Sequence, residues 1–127
     1  MAKKRMGKSR SELFHTKCYY FGTTQGNSFW HRYKKKGLYE RGFGEFWLTK
    51  TSLNFRLYFT LEPIKISSRN ITGITCGYGH AGKISLRPVL KVHWKSDDLE
   101  LVSGFASTKD PKELVQWERM LKKVMRV

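Results

Sequence analysis

Leu53-Asn54-Phe55-Arg56-Leu57-Tyr58-Phe59 is the stretch whose pattern decides the fold. Residues 53, 55, 57 and 59 are apolar and alternate with Asn54, Arg56 and Tyr58. A period of two with one apolar face is the pattern of a half-buried β-strand. Working upstream, Lys50-Thr51-Ser52 reads as a tight turn and Phe43–Thr49 (FGEFWLT) as a partner strand. Residues 13–24 (LFHTKCYYFGTT) are β-prone and predict a first strand. Downstream, Glu62-Pro63 breaks the pattern, and Ile64 and Ile66 alternate with Lys65 and Ser67. Ile71 and Ile74 lead into a Gly-rich turn expected at 77–82. Residues 83–87 alternate again, with Ile84 and Leu86 on the apolar side. So do residues 89–95, with Leu90, Val92 and Trp94. Leu99, Leu101 and Phe105 complete the series. Six or seven short strands at roughly 10-residue spacing predict an antiparallel barrel or sandwich.

The last segment changes period. Asp110 is a candidate N-cap, Pro111 suits the first helical position, and Glu113 completes a D-x-x-E capping pattern. Leu114, Trp117, Leu121 and Val124, joined by Met125, form one apolar stripe. A helix over about 111–126 is expected, its stripe covering an open end of the strands. The fold class is therefore mainly β with one C-terminal α-helix. One domain over 13–127 follows a basic arm at 1–12.

The chain has 127 residues, 25 Lys and Arg against 10 Asp and Glu, and a formal charge of +15. Its hydrophobic fraction of 39% supplies a core, which argues against disorder throughout. No apolar run approaches the roughly 20 residues of a membrane-spanning helix. MAKKRMGKSR lacks the apolar core of a secretory signal, so a cytoplasmic protein is expected. The charge is uneven. Residues 1–95 hold 19 basic and 4 acidic side chains, whereas residues 96–127 hold 6 of each. Lys3, Lys4, Arg5, Lys8 and Arg10 crowd the arm, and Arg32, Lys34, Lys35 and Lys36 crowd the loop at 25–37. Such self-repulsion destabilises a compact fold unless an acidic partner offsets it.

The residues 44–49 (Gly-Glu-Phe-Trp-Leu-Thr) followed by Leu53-Asn54-Phe55 resemble the hairpin of the pleckstrin-homology (PH) superfold, in particular its GRAM and prokaryotic PH-like branches. Ile64-Lys65-Ile66 and Ile71-Thr72-Gly73-Ile74 resemble the segment that follows it. Leu90–Trp94, Phe105, Trp117 and Leu121 resemble its closing strands and capping helix. The resemblance covers about residues 37–125. It implies a PH-like barrel and, from the family's basic hairpin loop, an affinity for phosphoinositide headgroups through Lys34, Lys35, Lys36 and Arg41.

Other motifs are weaker. Gly77-Tyr78-Gly79-His80-Ala81-Gly82 matches G-x-G-x-x-G, but the strand-like residues after it exclude the helix that a dinucleotide site needs. It reads as a flexible hairpin loop in which Tyr78, His80 and Lys83 could approach a phosphate backbone. Gly7-Lys8-Ser9 has neither the upstream glycine nor the strand of a P-loop. Asn70-Ile71-Thr72 is a glycosylation sequon without consequence inside a cell. Cys18 and Cys76 fit no zinc spacing and are expected to be free, buried thiols. His15, His31, His80 and His93 are scattered, and no nucleophile, base or paired carboxylates can be nominated. No enzyme, no metal and no cofactor is expected.

The segment 29–36 (FWHRYKKK) is the most functional-looking one. Arg32, Lys34, Lys35 and Lys36 would neutralise phosphates, while Trp30 and Tyr33 would stack on unpaired bases. The competing expectation is that Phe29 and Trp30 tuck into the barrel. A second basic set is expected from strand alternation, with Lys91, His93 and Lys95 on one strand and Lys83 and Arg87 on the preceding one. Charge spread over arm, loop and sheet points to RNA, with ribosomal RNA and ribosomal proteins as partners. One alternative is an adaptor for anionic membrane lipid. Another is a protein–protein module with an acidic partner.

Overall fold

In the computed structural model the described residues are 12–26, 30–35, 38–59, 62–108, 110 and 112–125. The strands are β1 (Glu12–Gln25), β2 (Gly42–Thr49), β3 (Ser52–Leu57), β4 (Ile64–Ser67), β5 (Ile71–His80), β6 (Lys83–Ser96) and β7 (Leu99–Ser107). A short 3-10 helix, Ser68–Asn70, joins β4 to β5, and α1 (Glu113–Met125) ends the described chain. All seven strands share one antiparallel sheet in the order β4-β3-β2-β1-β7-β6-β5. It stays unclosed, with β4 and β5 at its edges.

The sheet nevertheless folds over itself. Phe55 on β3 meets Phe105 on β7 at 5.1 Å between ring centroids, although β2 and β1 lie between those strands. Phe46 on β2 lies 5.1 Å from Phe105 as well. These rings, with Tyr20, Leu48, Leu53, Leu90 and Leu101, form the core between the two halves. The helix covers it from outside. Trp117 stacks on Phe46 at 5.2 Å and 13°, flanked by Leu114, Leu121 and Met125. The Asp110 carboxylate accepts the Lys112 amide at 2.9 Å, which is the expected N-cap. Glu113 accepts a hydrogen bond from Ser107 Oγ at 2.8 Å and so ties the helix start to β7. Pro111 and the helix end expected at residue 126 lie outside the described residues.

Several boundaries differ from expectation, each for a physical reason. β3 stops at Leu57, and Tyr58 and Phe59 are exposed in the turn beyond it. The glycines at 77 and 79 lie within β5, so the loop shrinks to the two-residue turn Ala81-Gly82, both at positive φ. Two central residues at positive φ match the right-handed twist of a tight hairpin. The expected strands at 83–87 and 89–95 are one strand, β6. Gly77 pairs with Val89 and Gly79 with Ile84, so residues 85–88 bulge outward. Pro88, which has no N–H to donate, sits in that bulge. The bulge breaks the alternation, so Ile84 and Leu86 are exposed rather than in the core. Cys18 is buried as expected, whereas Cys76 is exposed on edge strand β5.

A polar chain crosses the core. Trp94 Nε1 donates to Ser103 Oγ at 3.0 Å, and Ser103 and Thr23 hydroxyls meet at 2.7 Å. Thr23 Oγ1 contacts the Tyr20 hydroxyl, which reaches the Leu38 carbonyl at 2.9 Å. An indole N–H can only donate and a carbonyl can only accept. The direction of the whole relay is thereby fixed, each hydroxyl accepting from one neighbour and donating to the next. Full satisfaction makes such a buried chain rigid. It fastens the segment after β1, through Leu38, to strands β1, β6 and β7.

Candidate nucleic-acid interface

The segment between β1 and β2 starts as a continuation of the sheet. Thr24 and Arg32 form an isolated bridge, and the Tyr33 amide donates to Thr23 O at 2.8 Å. That turn presents an open cleft of ≈ 680 Å³ lined by Trp30, Arg32, Lys34, Lys35 and Tyr39, among others. Trp30 is 76% exposed, and Lys34 and Lys35 are exposed beside it. The aromatic expectation is half reversed: Tyr33 packs against the core while Trp30 stays outside. Phe29 and Lys36 lie outside the described residues. So do Lys3, Lys4, Arg5, Lys8 and Arg10 of the arm.

Two arginines frame the cleft. Arg32 Nη2 donates to Tyr39 O at 2.5 Å, and the guanidinium lies 4.1 Å from the Tyr39 ring centroid. Its Nε is buried without a hydrogen-bond partner. Arg41 Nε donates to Phe21 O at 2.9 Å, and Arg41 Nη2 donates to Ala81 O. Burial and then the positive Arg32 both push the Arg41 guanidinium below its ordinary value. Two crowded cations cost free energy that an anion between them would offset.

The β5–β6 turn closes over this region because two glycines leave room. Gly22 has φ +102 and sits at the bulge where β1 shifts register on β7. Its neighbour across the ladder is Gly104, and a Cβ there would lie 2.7 Å from the His80 ring. His80 fills this gap, 3% exposed, with Nε2 2.8 Å from Val102 O. Burial pushes its pKa down to about 4, against the raising effect of Val102 O. A neutral, buried His80 is unavailable to a ligand, contrary to the sequence expectation. It packs beneath the turn, at whose Gly82 an added Cβ would lie 3.5 Å from the Trp30 ring.

Beyond that turn lies a second cleft of ≈ 370 Å³. Its floor is Tyr19, Phe21 and Phe43, with Tyr19 5.0 Å from each of the other two rings in edge-on contact. Lys83 and Arg87 form its rim. Lys83 Nζ lies 5.2 Å over the Tyr19 ring, and Arg87 Nη1 donates to Ser107 O at 3.2 Å. Arg41 lies between the two clefts, bonded to Phe21 of the second and to Ala81 of the β5–β6 turn. Among the described residues no acidic side chain lines either cleft.

The expected sites thus divide. Trp30, Arg32, Lys34, Lys35, Arg41, Lys83 and Arg87 come together, with Tyr33 behind them. Lys91 and Lys95 do not join Lys83 and Arg87 across neighbouring strands, because all four lie on β6. Lys91 pairs with Thr75 and Gly104, and Lys95 is opposite Glu100. Sequence reasoning missed Tyr19, Tyr39 and Phe43. The signal was an aromatic at both Tyr19 and Phe21, on the strand face that should have been polar.

No family model matches the chain, and no curated protein matches it by sequence. Among described residues no helix is long and apolar enough to cross a membrane. The fold is similar to that of a chain in the solved complex "The 8S snRNP Assembly Intermediate", with TM-score 0.62 and 8% identity over 93% of this chain and 84% of that one.

Proposed function

We propose that this chain is a non-enzymatic RNA-binding protein of the cytoplasm that lies on ribosomal RNA among ribosomal proteins. The observation that carries the reading is the surface of Trp30, Arg32, Lys34, Lys35, Arg41, Lys83 and Arg87. It sets six cations around the exposed Trp30 ring, a combination that neutralises a phosphate backbone and stacks an unpaired base. Its two clefts extend over the ends of several strands, which suits a chain of phosphates better than one headgroup. The PH-like assignment, proposed with it, is supported by seven antiparallel strands and a capping helix with Trp117 buried. The structural neighbour from an snRNP assembly intermediate agrees in kind with an RNA–protein setting.

Sedimentation with ribosomes tests the reading. The protein is expected in the ribosomal fraction at low salt and in the supernatant after nuclease treatment or at high salt. Retention on anionic vesicles, unaffected by nuclease and without ribosome binding, would replace this reading with lipid binding.

A further inference from the structure

We propose that the opposite end of the molecule carries a second RNA-backbone site, formed by Lys50, Lys65, Arg69 and Lys123 around Leu13, so that one chain bridges two RNA segments. The inference rests on the RNA-binding reading above and extends it to a surface on which that reading does not draw.

The four cations come from four places in the sequence. Lys50 is in the β2–β3 turn, Lys65 on β4, Arg69 in the 3-10 helix and Lys123 near the end of α1. The fold collects them. The Ser68 amide donates to Thr51 O at 2.8 Å, which holds the 3-10 helix against the β2–β3 turn. Two hollows adjoin there, of ≈ 530 and ≈ 550 Å³, and both are lined by Leu13 and Lys50. Lys65 and Trp47 line one; Arg69 and Lys123 line the other. The cations therefore follow a groove rather than surrounding a point, which suits successive phosphates.

Ordinary stabilisation accounts for only part of this cluster. Lys122 and Lys123 at the end of α1 offset the helix dipole, and Lys122 pairs with Glu118 at 3.2 Å. Lys50 and Arg69 have no such reason, whereas Lys65, on edge strand β4, also discourages pairing with another chain. All three are exposed, and none belongs to an ion pair among the described residues. Among the described residues no acidic side chain lines either hollow.

β1 sets the separation of the two sites. Leu13 near its start lines the new groove, and Gln25 at its end lines the Trp30 cleft. Twelve residues of strand span up to about 40 Å. A single-stranded RNA of about 4 nucleotides matches one groove. At stoichiometric concentration and low salt, fluorescence titration with such an oligouridine is expected to reach two RNAs per protein chain. Lys50→Gln/Arg69→Gln/Lys123→Gln is expected to bring this to one, and so is Arg32→Gln/Lys34→Gln/Lys35→Gln. The far-end substitutions are all at exposed side chains, and circular dichroism checks that each variant keeps its fold. A single Arg69→Glu variant, expected to weaken the second site at least tenfold, serves if the triple variant unfolds. Saturation of the wild type at one RNA overturns the bridging inference and leaves the RNA-binding reading standing. So does a far-end variant that still takes two. Absence of RNA binding by the wild type overturns both. Loss of anionic-vesicle binding in the far-end variant, with two RNAs retained, assigns the groove to membrane lipid and overturns it as well.

Discussion

His80 and Gly104 form a matched pair at the scale of single residues: a buried ring occupies the space where a Cβ would stand. Gly104→Ala should cost about 1–3 kcal/mol by overpacking. Gly73→Ala should be tolerated, because its closest neighbour there is His93 Cβ at 3.9 Å. Urea denaturation of both variants checks the contrast. The same burial gives a pH signature. Folded His80 titrates at about 4 against 6.5 for the free side chain. Between these values the unfolded chain binds a proton that the folded one refuses. Stability should therefore be full above about pH 6.5, fall as the pH drops toward 4, and gain no further loss from this group below that. His80→Gln should flatten that limb in urea midpoints measured at several pH values. His93, also held down by burial and then by Lys91, should leave a residual slope.

Elements show where sequence pattern ends and three-dimensional context begins. The strand at Leu53 was legible because its inner residues face a single core, and α1 was legible because its stripe does too. Leu121→Ala should cost about 2–5 kcal/mol. Val115→Ala on the exposed side should change the melting temperature little. What could not be read was the β5–β6 hairpin. Its glycines look like loop, yet they pair, because β6 bulges at Ser85–Pro88 and the turn folds over Gly22 and Gly104. That packing depends on Gly104, 24 positions from His80, and on Gly22, 59 positions from Ala81, so no local window carries it. The functional surface divides likewise. Trp30, Arg32, Lys34 and Lys35 are contiguous and could be nominated together. Tyr19, Tyr39 and Phe43 join them only through strand register and the Arg41 bridge. Lys91 and Lys95 were misplaced because one long strand was taken as two.

At the scale of the whole molecule the charge has a geometry. One group of cations lies around Trp30 near the end of β1 and another around Leu13 near its start. Binding to single-stranded RNA should weaken with salt, with about 0.7 of logarithmic slope lost for each phosphate contact removed. Replacing Arg32, Lys34 and Lys35 by Gln should therefore lower the slope by about 2, read from affinities across a salt series. The sheet order has a further outcome, in the time domain. β1 lies at the centre and pairs with β7, and Thr23 meets Ser103 across 80 residues of chain. Until β7 has been synthesised, β1–β4 form a meander whose β1 edge presents unpaired amides and carbonyls. Loop closure over that distance is slow, and open strand edges invite pairing with other chains. The nascent chain thus holds the Tyr19-Tyr20-Phe21 strand unpaired on one side until β7 emerges. Completion of one late seam, between β1 and β7, joins two half-sheets into one.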